Sequence, residues 1–167
     1  MAELTTRERL QPSLLDRLTD DAPWESSESR EQRIITAARL RECVTRDISW
    51  LLNCTRHWSD DSLMPYEHVH GSVLNYGIPD LAGTALGGID PDELERRIRE
   101  AILRFEPRLT GGTLHVHVGV DTDRMDDRSL TFRIQSQMWA QPMPLNLYLK
   151  TELDLDTGEF RIDPGTG

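Results

Sequence analysis
Apolar residues recur along this chain with two different periods, and the change between them falls at one short stretch. Leu94, Ile98, Ile102 and Phe105 stand at i, i+4, i+8 and i+11, which is one stripe of an α-helix. Leu114, Val116, Val118 and Val120 stand at every second position, the spacing of a half-buried strand. Between the two runs lie Glu106-Pro107-Arg108-Leu109 and Gly111-Gly112. Pro107 lacks an N–H and pushes Glu106 out of the helical region, so the helix ends there. The two glycines allow a tight reversal into the strand. Glu106 and Arg108 are therefore held on either side of a stiff proline at the end of a buried helix. Such a pair either ties helix to sheet or presents a rigid charged surface to a partner.

The same reading extends to the rest of the chain. Ala37, Leu40, Val44, Ile48 and Leu51 form one continuous helical stripe, widened by Ile34, Ile35, Ala38, Cys43 and Leu52. The predicted helix runs over 29–53 with Ser29 as its cap, and Arg46-Asp47 falls between stripe positions as a solvated pair. A second helix begins after Asp90, with Pro91 at its first position and Glu93 two residues on. Alternation returns at Leu130, Phe132, Ile134 and Met138, and again at Leu145, Leu147, Leu149, Leu153 and Leu155. Asp156-Thr157-Gly158 predicts a hairpin turn into a short fourth strand bearing Phe160 and Ile162. The opposite strand positions carry His115, His117, Thr131, Arg133, Gln135, Gln137, Asn146 and Lys150. One apolar and one polar face place helices on one side only. The expected fold is α+β: two long helices packed on one face of a largely antiparallel three- to four-stranded sheet, with an N-terminal helical arm. Residues 1–28 read as arm and linker, 29–163 as the domain and 164–167 as a tail. In the arm, Pro12 starts a short helix bearing Leu14, Leu15 and Leu18, either a strap on the domain or a docking helix. The stretch 55–88 reads as irregular but packed down through Val73, Leu74, Tyr76, Ile78 and Leu81. Within it, Ser72 to Tyr76 forms a helical turn closed by Gly77 in a left-handed conformation.

Composition narrows the function. A net charge of −10 over 167 residues argues against nucleic-acid binding, which needs a basic face. No run approaches the ~18 apolar residues that span a bilayer. The first ten residues are charged and lack an apolar core, which predicts a cytoplasmic chain without a signal peptide. Cys43 and Cys54, 11 positions apart on the predicted helix, would stand about 16 Å apart, too far for a disulfide. Both read as small buried hydrophobes.

Candidate chemistry is thin. His115 and His117 on one strand face, with His68 and His70, make two His-x-His pairs, but no Cys joins them and the segments are distant; no metal or other cofactor is expected. Glycoside hydrolysis needs two positioned carboxylates. Glu106 is the one acid whose place looks fixed, and Asp80, Asp121, Asp123 and Asp126 lie in loops where no spacing singles one out. Asp121-Thr122-Asp123 lacks the glycine and closing glutamate of a calcium loop and reads as a hairpin tip. No phosphate loop or nucleophile elbow is present.

Four blocks occur in order: Pro12-Ser13-Leu14-Leu15-Asp16-Arg17-Leu18, Arg46-Asp47-Ile48-Ser49-Trp50-Leu51-Leu52-Asn53, Ser72-Val73-Leu74-Asn75-Tyr76-Gly77-Ile78-Pro79-Asp80-Leu81 and Phe105-Glu106-Pro107-Arg108-Leu109. Together they resemble the TssE family of type VI secretion baseplate subunits, which is similar to a baseplate wedge protein of contractile phage tails once labelled lysozyme-like. The resemblance covers nearly the whole chain. It implies a non-enzymatic structural role beside the wedge subunits TssF, TssG and TssK. It implies a fold related to part of the sheath protein, and a part in starting polymerisation of the TssB–TssC sheath on the cytoplasmic side of the inner membrane. It also implies that Glu106, Pro107 and Arg108 are the partner-binding residues. A peptidoglycan hydrolase and a small adaptor of related fold are the other readings.

Overall fold
The computed structural model describes residues 13–19, 23–24, 36–58, 60–63, 65–85, 88–119, 129–140 and 143–164. In chain order the elements are α1 (Leu14–Leu18), α2 (Ala37–Leu52), α3 (Asp60–Leu63), α4 (Glu67–His70), α5 (Pro91–Phe105), β1 (His115–Gly119), β2 (Ser129–Met138), β3 (Leu145–Asp154) and β4 (Phe160–Pro164). The strands make one antiparallel sheet in the order β1-β2-β3-β4. The α+β architecture expected from the two periodicities is the one found, with α1 as the helical arm.

Both long helices bury most of the stripes that predict them, although Ala38 is exposed. Leu40, Cys43, Val44, Ile48, Leu51 and Leu52 of α2 and Leu94, Ile98 and Ile102 of α5 are buried. They meet Val116, Val118, Leu130, Phe132, Ile134, Met138, Leu147, Leu149 and Leu153 from one face of the sheet in a single core. Fully burying each such side chain contributes roughly 1.5–3 kcal/mol. Phe132 and Phe160 touch at its centre, with ring centroids 5.4 Å apart. On the far face His115, His117, Arg133, Gln135, Asn146 and Lys150 are exposed, and Thr131 and Gln137 half-buried.

Helix boundaries follow local chemistry. Asp90 Oδ1 accepts from the amides of Asp92 (3.1 Å) and Glu93 (3.4 Å), and Pro91 opens α5. α2 starts later than the spacing predicts. Thr36 is extended and caps the helix by accepting from Arg39 N at 3.1 Å, which ends any continuous run from Ser29. Ser29, Ile34 and Ile35 lie outside the described residues, as do Val120, Asp121, Asp123 and Asp126. Cys54 stands beyond the end of α2 and is half-buried, whereas Cys43 is buried; both thiols are free.

The middle segment is more ordered than its sequence suggests, holding α3, α4 and a 3₁₀ turn at Val73–Asn75. Its anchor is Gly77, whose φ of +118° lies in the region expected from the sequence. Ile78 N donates to Cys54 O (2.9 Å) and Arg56 N to Ile78 O (2.8 Å), which makes a parallel bridge at the end of α2. Ile78 is buried and Tyr76 packs edge-on against Phe105. Val73 and Leu74 do not pack down; both are well exposed, because the 3₁₀ turn points the buried Asn75 inward instead, where its Oδ1 accepts from Trp58 N.

Helix side chains also reach the rims of the sheet. Glu95 Oε1 accepts the Val118 amide (2.7 Å) and Arg99 Nε donates to Leu114 O (3.2 Å) along β1. At the other rim Asn53 takes both backbone groups of Phe160, at 3.0 and 2.9 Å. Arg41 Nε donates to Asn146 O (3.2 Å) where β3 runs past β4. Unsatisfied edge groups are templates for foreign strands, so these contacts blunt the sheet.

Candidate functional site
The change of period at Glu106-Pro107-Arg108 becomes a turn sewn to β2. Glu106 caps α5, its amide donating to Ile102 O (2.8 Å). Trp139 N donates to Arg108 O (2.7 Å) and Thr110 N to Gln137 O (2.8 Å), so the turn sits against the end of β2. This fixes Glu106 with only 3% of its surface exposed. Its carboxylate accepts from the Arg108 amide (3.1 Å), from Arg108 Nε (2.7 Å) and from Arg108 Nη2. The motif thus folds back on itself, with the acid inside and the guanidinium at its mouth.

Arg108 does not stop at Glu106. Its Nη2 also reaches Asp47 Oδ2 (2.5 Å) on α2. Asp47 Oδ1 in turn accepts from Arg46 Nε (2.9 Å) and Nη2 (2.7 Å). The expectation that Arg46-Asp47 is a solvated pair is therefore corrected: both belong to a charge cluster at the α2–α5 junction. The reason is positional. Asp47 lies four residues from buried Cys43 and four from buried Leu51, on one row of the helix. Arg46 also lies over the Trp50 ring, 4.9 Å from its centroid.

The fifth member comes from the arm. Ser13 and Asp16 form a reciprocal capping box on α1, with Ser13 Oγ donating to Asp16 Oδ2 at 2.6 Å. Asp16 Oδ1 stands 2.8 Å from Arg46 Nη2, and Asp16 Oδ2 stands 3.9 Å from Arg108 Nη1. The Asp16 side chain is only 7% exposed. Its place here was missed from sequence, although Ser-x-x-Asp is a readable capping signal. Three carboxylates thus face two guanidiniums.

Burial works against the charges in this cluster, and pairing overrides it. For Asp16, burial raises the pKa, but the hydrogen bond from Ser13, the nearby Arg46 and Cys43 side chains and the charge of Arg46 bring it down to about 2 from an ordinary 3.8. Burial likewise opposes the charge of Arg108, and Glu106 with Asp47 more than offset it, raising the value. Burial, and then the neighbouring Asp16, push the Cys43 thiol up. A carboxylate whose folded value is lowered contributes stability that is complete above its ordinary value and is lost as pH falls through the folded one. The gap at Asp16 is worth about 2 kcal/mol. α1 is accordingly expected to stay seated at neutral pH and to release between about pH 4 and pH 2. Carboxyl NMR of Asp16 checks this: a midpoint near 3.8 would show an unengaged side chain.

The other candidates do not converge. His115 and His117 lie on β1, where His117 Nδ1 stands 3.0 Å from Glu95 Oε1, while His68 and His70 lie on α4. Among the described residues no group of three His, Cys, Asp or Glu is placed to hold a metal ion. Asp80 is exposed and caps its own loop by accepting from Ala82 N at 3.0 Å. Glu106 is bonded to Arg108 and sealed from solvent.

The family model described as baseplate wedge protein gp25 matches residues 38–143, from the first turn of α2 to the loop before β3. The chain belongs to the baseplate wedge protein gp25 family. That family is a structural one, and Arg46, Asp47, Glu106 and Arg108 all lie within the matched stretch. Asp16 and the whole of α1 lie before it, and β3 and β4 after it. Searches of curated proteins and of solved structures returned no match. Among the described residues no helix is long and apolar enough to cross a membrane.

Proposed function
We propose that this gp25-family chain is a TssE-type baseplate subunit of a type VI secretion machine. It joins the wedge subunits TssF, TssG and TssK to the TssB–TssC sheath on the cytoplasmic side of the inner membrane, and it acts without catalysis. One observation carries the reading: the sequence blocks of the resemblance meet in one place. α1, the Arg46-Asp47 pair and the Glu106-Pro107-Arg108 turn close a single charge cluster. The fourth block, through Gly77, locks onto the end of the same α2. Residues scattered over nearly a hundred positions converge on one junction, as a docking platform requires. Glu106 fixes the geometry from inside, and exposed Pro107 with Arg108, whose side chain is 20% exposed, are the members of the three that can face a partner.

The sheath contact is assigned to strand exchange at the β3–β4 hairpin. Asn53 occupies the outward backbone of Phe160, and alternation along an antiparallel pair turns the Ile162 backbone the same way. Ile162→Pro removes that outward amide while sparing the bonds to β3, whereas a proline at fully buried Leu153 would disrupt the core. The expected result is twofold. The tagged parent co-purifies with TssF, TssG and TssK, and the Ile162→Pro chain still does so but supports few sheaths in cells. Failure to capture any wedge subunit would sink the baseplate assignment; normal sheaths with the variant would sink the strand exchange alone.

A further inference from the structure
α1 is seated the wrong way round for an amphipathic helix. It buries its acid and turns its leucines outward: Leu14 is 71% exposed and Leu18 74%, while the Asp16 side chain is 7% exposed. Apolar burial does not hold it in place. What holds it is one carboxylate between two guanidiniums, with Ser13 bracing that carboxylate from the helix cap.

The fit is also incomplete. Arg108 Nη1 is buried and has no hydrogen-bond partner, and Asp16 Oδ2 falls short of it at 3.9 Å. Asp16 Oδ1 is at ion-pair distance from Arg46 but makes no aligned hydrogen bond. Buried donors of this kind are normally satisfied. A side chain one methylene longer, entering from the same helix position, would close the gap to Nη1. The receptor lies inside the stretch shared with the family, whereas its present occupant lies outside it.

We propose that Arg46 and Arg108 form a receptor for a glutamate carried in the first turn of a partner's helix, and that α1 fills this receptor in the free chain as a displaceable plug. Asp16, a carboxylate brought in by a helix, shows both the chemistry of the occupant and its approach. The proposal stands on the contacts of α1 and holds whether or not the baseplate assignment does.

The test uses the full-length chain, isotopically labelled, and its Asp16→Asn variant. Arginine Nε–H signals are followed by NMR as a synthetic peptide of residues 10–20 is added. The peptide carries aspartate, glutamate or asparagine at position 16. In the variant, the aspartate peptide is expected to move the Arg46 and Arg108 signals, and the glutamate peptide to do so at roughly tenfold lower concentration, as a completed charge-assisted bond allows. The parent chain should need about tenfold more of either peptide, because its own α1 competes at the high effective concentration of a tethered group. The asparagine peptide should move neither signal. Equal shifts with asparagine, no response of either arginine in the variant, or no advantage for glutamate would each overturn the proposal.

Discussion

Arg108→Ala is expected to lower the stability of the isolated chain by about 3–5 kcal/mol, the cost of breaking a buried ion pair by removing one partner. At this chain length that corresponds to a fall in melting temperature of roughly 10 °C. The cause lies less in the arginine than in what it leaves behind. Glu106 is sealed between α5 and β2, and Arg108 supplies two of the three donors to its carboxylate and the main chain the third. Without the guanidinium a charge stays buried with one amide for company. The partner-binding role that the resemblance implies leads to the opposite expectation, an intact fold with weakened partner contacts, because burial of Glu106 cannot be read from Glu-Pro-Arg. The two views separate cleanly. A melting temperature within about 2 °C of the parent would return Arg108 to a purely partner-facing role. Replacing both members together, as Glu106→Leu with Arg108→Met, should recover much of the loss, since an apolar pair of similar volume carries no desolvation penalty.

Gly77→Ala is the second large effect. A Cβ at this position would stand 2.1 Å from the Cys54 carbonyl oxygen and 2.9 Å from the Arg56 amide, both main chain and both engaged in the bridge to Ile78. The backbone there also has φ +118°, which side chains rarely adopt. Clash and strain add, and a loss of at least about 3 kcal/mol is expected, visible as a lower denaturant midpoint with little change of slope. Gly83→Ala is the control. Its φ is also positive but nothing lies within 4 Å, so strain alone remains and the loss should be about 1 kcal/mol. Equal midpoints for the two variants would show that the loop moves away from α2 at little cost.

How far the sequence could be read depended on whether the signal was local. Leu94, Ile98 and Ile102 declare α5 because each stripe position is buried by the same neighbour, the sheet. Asp90 and Pro91 declare its start because capping needs only adjacent residues. The hairpin at Gly158 was legible for the same reason. Asp16, Asp47 and Glu106 behaved differently. Asp16 and Asp47 are each held by a cation from another element, and Glu106 by one two residues along its own turn; pairing of this kind leaves no period in any one of them. Asp47 could have been suspected, since it occupies the row of Cys43 and Leu51. Val73 and Leu74 mislead in the other direction. Their apolar character predicts burial, but the 3₁₀ turn spends its inward position on Asn75.

The blunted rims of the sheet bear on self-association. Runaway filaments need two complementary free edges on every copy. Here Glu95 occupies the Val118 amide of β1 and Arg99 the Leu114 carbonyl just before it, while Asn53 and Arg41 occupy backbone groups on the opposite side. Copies of such a chain meet side chains at these points in place of bare backbone, which disfavours their zipping together.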